Sequence, residues 1–334
     1  MRIGWNGIKK YGKYLLIPEK TILRSSKRLF LDFDSLNNLD PKYGHWFIHP
    51  CVRYVPQGFS GHKWWMVVTP YPNYNNKYEN PVLYYGLGND VKPPAKWEMV
   101  GVVQGSHDKG YNADCNLFFD EDKIWIIWKE KDTENSDINK TGNCIMCRPY
   151  DGKNFGSVFK LFDNDSSDEV HLIAPSVLNV GDKIICYATA YDNKSTMDSC
   201  HPHGYNKIAV WSTLGGNFSS GFSLNEMLSP NCPKDFDYWH ADFCFYDGII
   251  YSVVSNQIAD TILFGRSLDG KIFEYIETPL FSRKGNNYKY MYKPSLVIID
   301  GKGYVFFPKK KFKSRSVDIF YGEFNLSDII YLFE

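Results

Sequence analysis

The chain has no long hydrophobic run, no surplus of either charge and no visible leader, and each shortage closes off a class of function. No stretch reaches the ~18 consecutive apolar residues of a membrane-spanning helix, so no membrane span is expected. Lys+Arg 38 balances Asp+Glu 38 over 334 residues, and bulk charge gives no reason to expect a nucleic acid as partner. The N-terminus, Met1-Arg2-Ile3-Gly4, lacks the apolar core of a signal peptide, which points to a cytoplasmic or virion-associated protein. Helical periodicity is missing too; the best stretch, SLNEML from Ser223, is too short to count. There is no low-complexity tail and no interdomain linker. Of the eight cysteines, Cys51, Cys115, Cys186 and Cys244 fall in strand-like runs, where a thiol serves as a small hydrophobe. Cys144 and Cys147 have CxxC spacing but no second pair, and on a strand their sulfurs leave opposite faces, so no structural zinc site is expected.

What the chain does have is aromatics, 17% of it, and repetition. Five runs open alike: HPCVRYV from His49, ADCNLFF from Ala113, APSVLNV from Ala174, HADFCFY from His240 and KPSLVII from Lys293. Each is followed by a polar turn, an apolar aromatic strand and one or two further strands. The apolar anchors Val52, Leu117, Val177, Phe243 and Leu296 recur about every sixty residues, and a repeat of about four short antiparallel strands reads as one blade of a β-propeller. The expected fold is therefore all-β, a single five-bladed propeller over 1–334. Its blades would span about 46–105, 106–165, 166–230, 231–285 and 286–334, with first strands lining a central channel. Residues 1–45 supply two strand-like runs, KYLLIP from Lys13 and RLFLDF from Arg28, and then a loop. One of these strands is expected to close the ring against the segment Asp318 to Phe333. The basic run Lys309, Lys310, Lys311, Lys313, Arg315 reads as a solvated strand edge.

A propeller brings five strand starts to one face near the axis. Aligned on the anchors, His49, Asp114, Ala174, His240 and Lys293 become equivalent, and two residues on lie Cys51, Asn116, Ser176, Asp242 and Ser295. Charged groups at the mouth of an apolar core need partners or a task. Either they staple the blades together through hydrogen bonds, or they form a ligand site; the two are compatible. Tyr238-Trp239-His240-Ala241-Asp242 sets an aromatic platform beside polar groups, which suits a sugar. Tyr71 and Lys129-Glu130 end the second strands of blades one and two and are expected to border the funnel, as is Tyr292.

These strings resemble the five-bladed propellers of the arabinanase, xylosidase and invertase-like glycoside hydrolases, above all uncharacterised glycosidase-like propellers of bacteria and phages. The likeness runs from about His45 to about Phe307. It implies a general base, a pKa-tuning Asp and a general acid on blades one to three. Only the blade-two carboxylate, Asp114, is in place. His49 stands at the blade-one position, Ile173 and Ala174 at the blade-three position with Glu169 a few residues before, and Asp242 is an additional carboxylate on blade four. An enzyme of this kind would use an altered set, catalytic Asp114, Asp242, His49 and His240, with Trp239, Tyr71, Asn116, Ser176, Glu130, Lys129, Lys293 and Tyr292 around the substrate. The alternatives are a non-catalytic glycan- or receptor-binding protein, such as a phage tail or virion component built into a larger particle, and a scaffold that docks a protein. The expected partner is an oligo- or polysaccharide. No cofactor is required; a channel calcium ion held through waters, or a transition metal held directly, is compatible with one Asp and several His, although no ligand spacing calls for it.

Overall fold

The computed structural model describes residues 21–333 except 24, 106–109, 121, 133–142, 164–169, 193–205, 214–217, 235, 257, 259, 284–287, 312, 313 and 315. Five antiparallel sheets stand in a ring. Blade one runs outward through Phe47–Phe59, His62–Pro70, Val82–Gly86 and Lys96–Val102. Blade two is Gly110–Asp120, Lys123–Asp132, Asn143–Tyr150 and Phe159–Asp163, and blade three is Val170–Val180, Lys183–Asp192, Lys207–Thr213 and Phe222–Leu228. Blade four is Tyr238–Tyr246, Ile249–Asn256, Thr261–Ser267 and Glu274–Tyr275, and blade five is Ser295–Ile299, Lys302–Lys311 and Asp318–Asn325. The first strand of each blade touches that of the next, blade five returning to blade one.

Local chemistry explains the hairpins. Ser60-Gly61, Asp247-Gly248 and Asp300-Gly301 have positive φ at both residues, the turn whose twist matches the strands it joins. Apolar and aromatic side chains then fill the gaps between blades. Trp64 and Met66 of blade one meet Tyr304 and Phe306 of blade five, and Trp65 meets Leu117 and Ile126 of blade two. Further clusters fill the gaps between blades two and three, three and four, and four and five. All five anchors, from Val52 to Leu296, are buried in these clusters.

The N-terminal segment spans the seam. Lys27–Arg28 pairs antiparallel with Asp318–Asn325 of blade five, and Phe30–Leu31 pairs parallel with Lys96–Val102 of blade one. The run from Arg28 is thus shared between two blades, while the run from Lys13 lies outside the described residues. Two expectations need correction, the loop after Phe33 and the basic edge. The first stretch, expected as loop, contains an α-helix, Phe33–Leu39, whose first turn is capped by Asp32 accepting the Ser35 N–H at 3.1 Å; Leu36 is its one buried residue, too little to set a periodic signal. SLNEML is strand, paired to Lys207–Thr213. Lys302–Lys311 is an interior strand, hydrogen-bonded on both sides. Lys309 is buried, its ammonium on Ser26 Oγ at 2.8 Å and over the Phe320 ring, and Lys310 lies 3.8 Å over the Trp46 ring.

Candidate functional site

Two layers of side chains surround the axis, and a kink in the inner strands separates them. Pairing slips between Ile48 and Cys51, Ala113 and Asn116, Ile173 and Ser176, and Tyr238 and Ala241. His49, Asp114 and Ala174, at φ 53, 56 and 51, hold the left-handed backbone that non-glycine residues rarely adopt. Such bulges re-aim a side chain at a barrel rim, and here they turn one residue per strand out of the sheet's alternation.

Below the bulges lies a closed floor. The N–H of Leu117 donates to Cys51 Sγ (3.2 Å), that of Val177 to Asn116 Oδ1 (3.2 Å), that of Phe243 to Ser176 Oγ (3.1 Å), that of Leu296 to Asp242 Oδ2 (3.0 Å) and that of Val52 to Ser295 Oγ (3.0 Å). Each side chain thus accepts the backbone N–H of the next blade's anchor, and the fifth returns to the first. Arg53 fills the centre. Its guanidinium grips Asp242 through two bonds of 2.8 Å, and Ser176 (2.7 Å) and Ser295 (2.8 Å) also donate to that carboxylate. Burial alone would raise the Asp242 carboxyl, but Arg53 outweighs it and holds it at about 2. Asp242, Asn116 and Ser176, expected at the ligand site, are thereby fully occupied in joining blades.

The mouth is built differently. His49, Asp114 and His240 are 3%, 3% and 2% exposed. Asp114 Oδ1 sits 3.0 Å from His240 Nε2 and 3.4 Å from His49 Nε2. Among the described residues Asp114 Oδ1, His49 Nε2 and His240 Nδ1 are without a hydrogen-bond partner, although His240 Nε2 lies close to Asp114 Oδ1 and also meets the Tyr292 hydroxyl. Burial, helped by Lys293 and Lys129, pushes both imidazoles below their usual pKa and opposes the pull of Asp114, so both are neutral at neutral pH. Burial would raise the Asp114 carboxyl, but the neighbouring imidazoles and Lys293 hold it well below the usual carboxylate range.

Two neutral imidazoles and a carboxylate, one donor atom from each within 4.8 Å of the others, have the donors and spacing that could hold a metal ion. Ligands about 2.1 Å from one ion stand roughly 3.0–3.4 Å apart at octahedral or tetrahedral angles, the range in which Asp114 Oδ1 meets the two imidazoles. The mixed nitrogen and oxygen donors suit a transition metal better than calcium, which takes oxygen ligands, so the calcium expectation does not fit the donors. A supporting partner is present as well: His49 Nδ1 lies 3.0 Å from Thr69 Oγ1, which itself reaches the Ile48 carbonyl at 3.3 Å. Nδ1 also accepts the Asp114 backbone N–H at 3.3 Å; only the tautomer that instead carries the proton on Nδ1, donated to Thr69, frees the Nε2 lone pair for an ion.

Around this triad stand further residues named from the sequence, with Glu79 beside them. Lys293 Nζ donates to the Cys115 carbonyl at 2.7 Å, and Tyr292 hydroxyl lies 3.4 Å from both His240 Nε2 and Trp239 Nε1. Lys129 is buried and faces Asp114 and Glu79, its pKa lowered chiefly by burial. Glu130 leaves the opposite face of that strand and is half exposed. Glu79, in the loop of YENPVL, is buried, and burial together with the Asp114 charge raises its carboxyl to about 8 against the pull of Lys129. Tyr71 and Tyr292 also feel Glu79. Arg53 was not read from the sequence, although its place two residues after Cys51 on the same strand was a signal for it; Glu79 was read only as flanking the blade-one loop. Glu169 lies outside the described residues.

No protein-family model matches the chain, and no curated protein matches it in sequence. Solved structures do match in fold. One is an N-acetylgalactosamine deacetylase from F. plautii, solved with blood group B trisaccharide: 14% identity, 94% of this chain and 97% of that one, TM-score 0.69. Another is RS223-β-xylosidase: 14% identity, 90% and 95% covered, TM-score 0.60. A third is the GH32 β-fructofuranosidase BmSUC1 of Bombyx mori: 13% identity, 86% and 64% covered, TM-score 0.57. The chain has the five-bladed propeller fold that these glycoside hydrolases share with the deacetylase.

Proposed function

We propose that the protein is a carbohydrate-active hydrolase whose funnel binds a divalent transition metal through His49, Asp114 and His240, and that it removes an acyl substituent from a sugar rather than splitting a glycosidic bond. The observation that carries this reading is the orphaned, ligand-spaced triad at the mouth. A glycosidase needs two carboxyl groups across the scissile bond. At the axis Asp242 is consumed by Arg53 and four further donors, and Asp114 is caught between imidazoles. The fold match to a sugar deacetylase is in keeping with this choice.

An ion held by the triad would polarise the acyl oxygen and acidify a water. The chain's own groups do the rest. In its ionised form, which prevails above about pH 8, Glu79, buried beside Asp114 and Lys129, takes the proton of the attacking water and returns it to the departing nitrogen or oxygen. Lys129 balances the charge that Glu79 carries before it takes the proton. Trp239 offers a half-exposed indole to the ring face, and the Tyr292 hydroxyl sits where a sugar hydroxyl or the acyl group would hydrogen-bond.

The test is to load the purified protein with zinc, manganese or cobalt and offer acetylated mono- and oligosaccharides, following acetate and new reducing ends separately. Acetate without reducing ends is the expected result, abolished in Asp114→Asn. Reducing ends without acetate would return the protein to the glycosidases. Oligosaccharide binding with neither product would favour the non-catalytic glycan receptor.

A further inference from the structure

Beside the mouth, blade one carries an aromatic shelf that the metal chemistry does not use. Trp46, Ile48 and Val317 form a small apolar cluster with Tyr71, apart from the cores between blades. Ile48 directly precedes the ligand His49, and the Tyr71 N–H donates to the Trp46 carbonyl at 2.8 Å. Tyr74 packs edge-on against both Trp46 (4.8 Å) and Tyr71 (5.9 Å). Lys310 lies 3.8 Å over the Trp46 ring and, more distantly, 5.8 Å from the centre of the Tyr74 ring; Tyr74 is still 50% exposed and offers most of the open aromatic surface. Two further features mark the shelf as more than an ordinary loop. Asn73 and Tyr74 both hold left-handed backbone, φ 56 and 60, a conformation that bulky residues keep only where the surroundings impose it. The buried Trp46 indole N–H has no acceptor among the described residues.

We propose that this shelf is a second carbohydrate subsite, seating the sugar ring next to the one that enters the mouth, with the ring face on Tyr74. It rests on the reading of the mouth as a carbohydrate site and adds the direction in which an oligosaccharide leaves it: from Tyr71, which faces Glu79, outward over blade one. The protein is thereby matched to oligosaccharides of two or more rings rather than to free monosaccharides.

The experiment compares wild type with Tyr74→Ala and Tyr74→Trp on N-acetylgalactosamine and on a trisaccharide carrying it, in acetate release and in calorimetric binding. Loss of one stacking contact predicts a KM or Kd about tenfold higher for the trisaccharide in Tyr74→Ala, no change for the monosaccharide, and recovery in Tyr74→Trp. Equal effects on both sugars, or none on either, would overturn the subsite. If wild type releases no acetate, binding still decides. Weaker trisaccharide binding in Tyr74→Ala keeps the shelf while the deacetylation reading falls. A wild type that binds neither sugar removes both.

Discussion

Floor and mouth sit one bulge apart on the same strands and obey opposite rules. On the floor every polar side chain is satisfied by its neighbour: five hydrogen bonds run round the axis and an arginine closes the centre. At the mouth three polar groups are buried to the same degree, and each keeps one side-chain atom (Asp114 Oδ1, His49 Nε2, His240 Nδ1) without a hydrogen bond among the described residues. Burial is therefore not what distinguishes a site from a staple here; satisfaction is. The floor closes the channel beneath the mouth and fixes the five strand starts, and the bulges then present His49 and Asp114 in a backbone conformation that the ring maintains. A rigid, satisfied layer carries a frustrated one, as expected where stability and function are separated along a strand.

The largest expected effect breaks the mouth without touching the fold. His240→Ala or Asp114→Asn should lower activity by more than the 10–100-fold that follows loss of a ligand's outer partner, while the melting temperature holds or rises. Activity assays and thermal melts on one preparation check this, and a large fall in melting temperature would mean that the mouth is structural. Next comes the floor. Asp242→Ala leaves Arg53 buried and unpaired and should cost about 3–5 kcal/mol in denaturant unfolding; the double variant Arg53→Met, Asp242→Ala should recover part of it, and additive losses would argue against a coupled pair. Thr69→Val, which removes the partner of His49 Nδ1, should weaken metal binding by about 10–100-fold with stability little changed.

Acid sharpens the same contrast. The folded Asp242 carboxyl is held at about 2, below its value in an unfolded chain. Its contribution, about 2 kcal/mol, is complete above about pH 4 and is lost as pH falls through about 2. Unfolding free energies measured across that window should fall in wild type and fall less in the double variant. The smallest effect is Ser295→Ala, which opens one link of the ring and should cost about 1 kcal/mol.

The floor was the more legible layer in the sequence. Val52, Leu117, Val177, Phe243 and Leu296 repeat on a common spacing, so the strands, the order of the blades and the residues facing the axis could all be counted out; the polar positions two residues after each strand start turned out to hold the staples. The mouth was legible in membership but not in kind. His49, Asp114 and His240 were picked out, but they lie far apart along the chain, and only ring closure brings them together; no local spacing betrays a metal set of this sort. The bulges were invisible because the residues there are His, Asp and Ala rather than glycine. The sequence does not show that Arg53, twelve strands earlier along the chain but adjacent across the axis, holds Asp242 in an ion pair. Glu79 was read only as flanking a loop because it lies outside the repeat that organised everything else.

The central claim is that the unsatisfied triad is a metal site and the satisfied ring is not. Elemental analysis after incubation with zinc, manganese and cobalt and removal of free ions tests it most directly. About one equivalent of metal in wild type and in Ser295→Ala, and none in Asp114→Asn or His240→Ala, is the result expected. A wild type that retains no metal, or triad variants that retain as much as wild type, would contradict it.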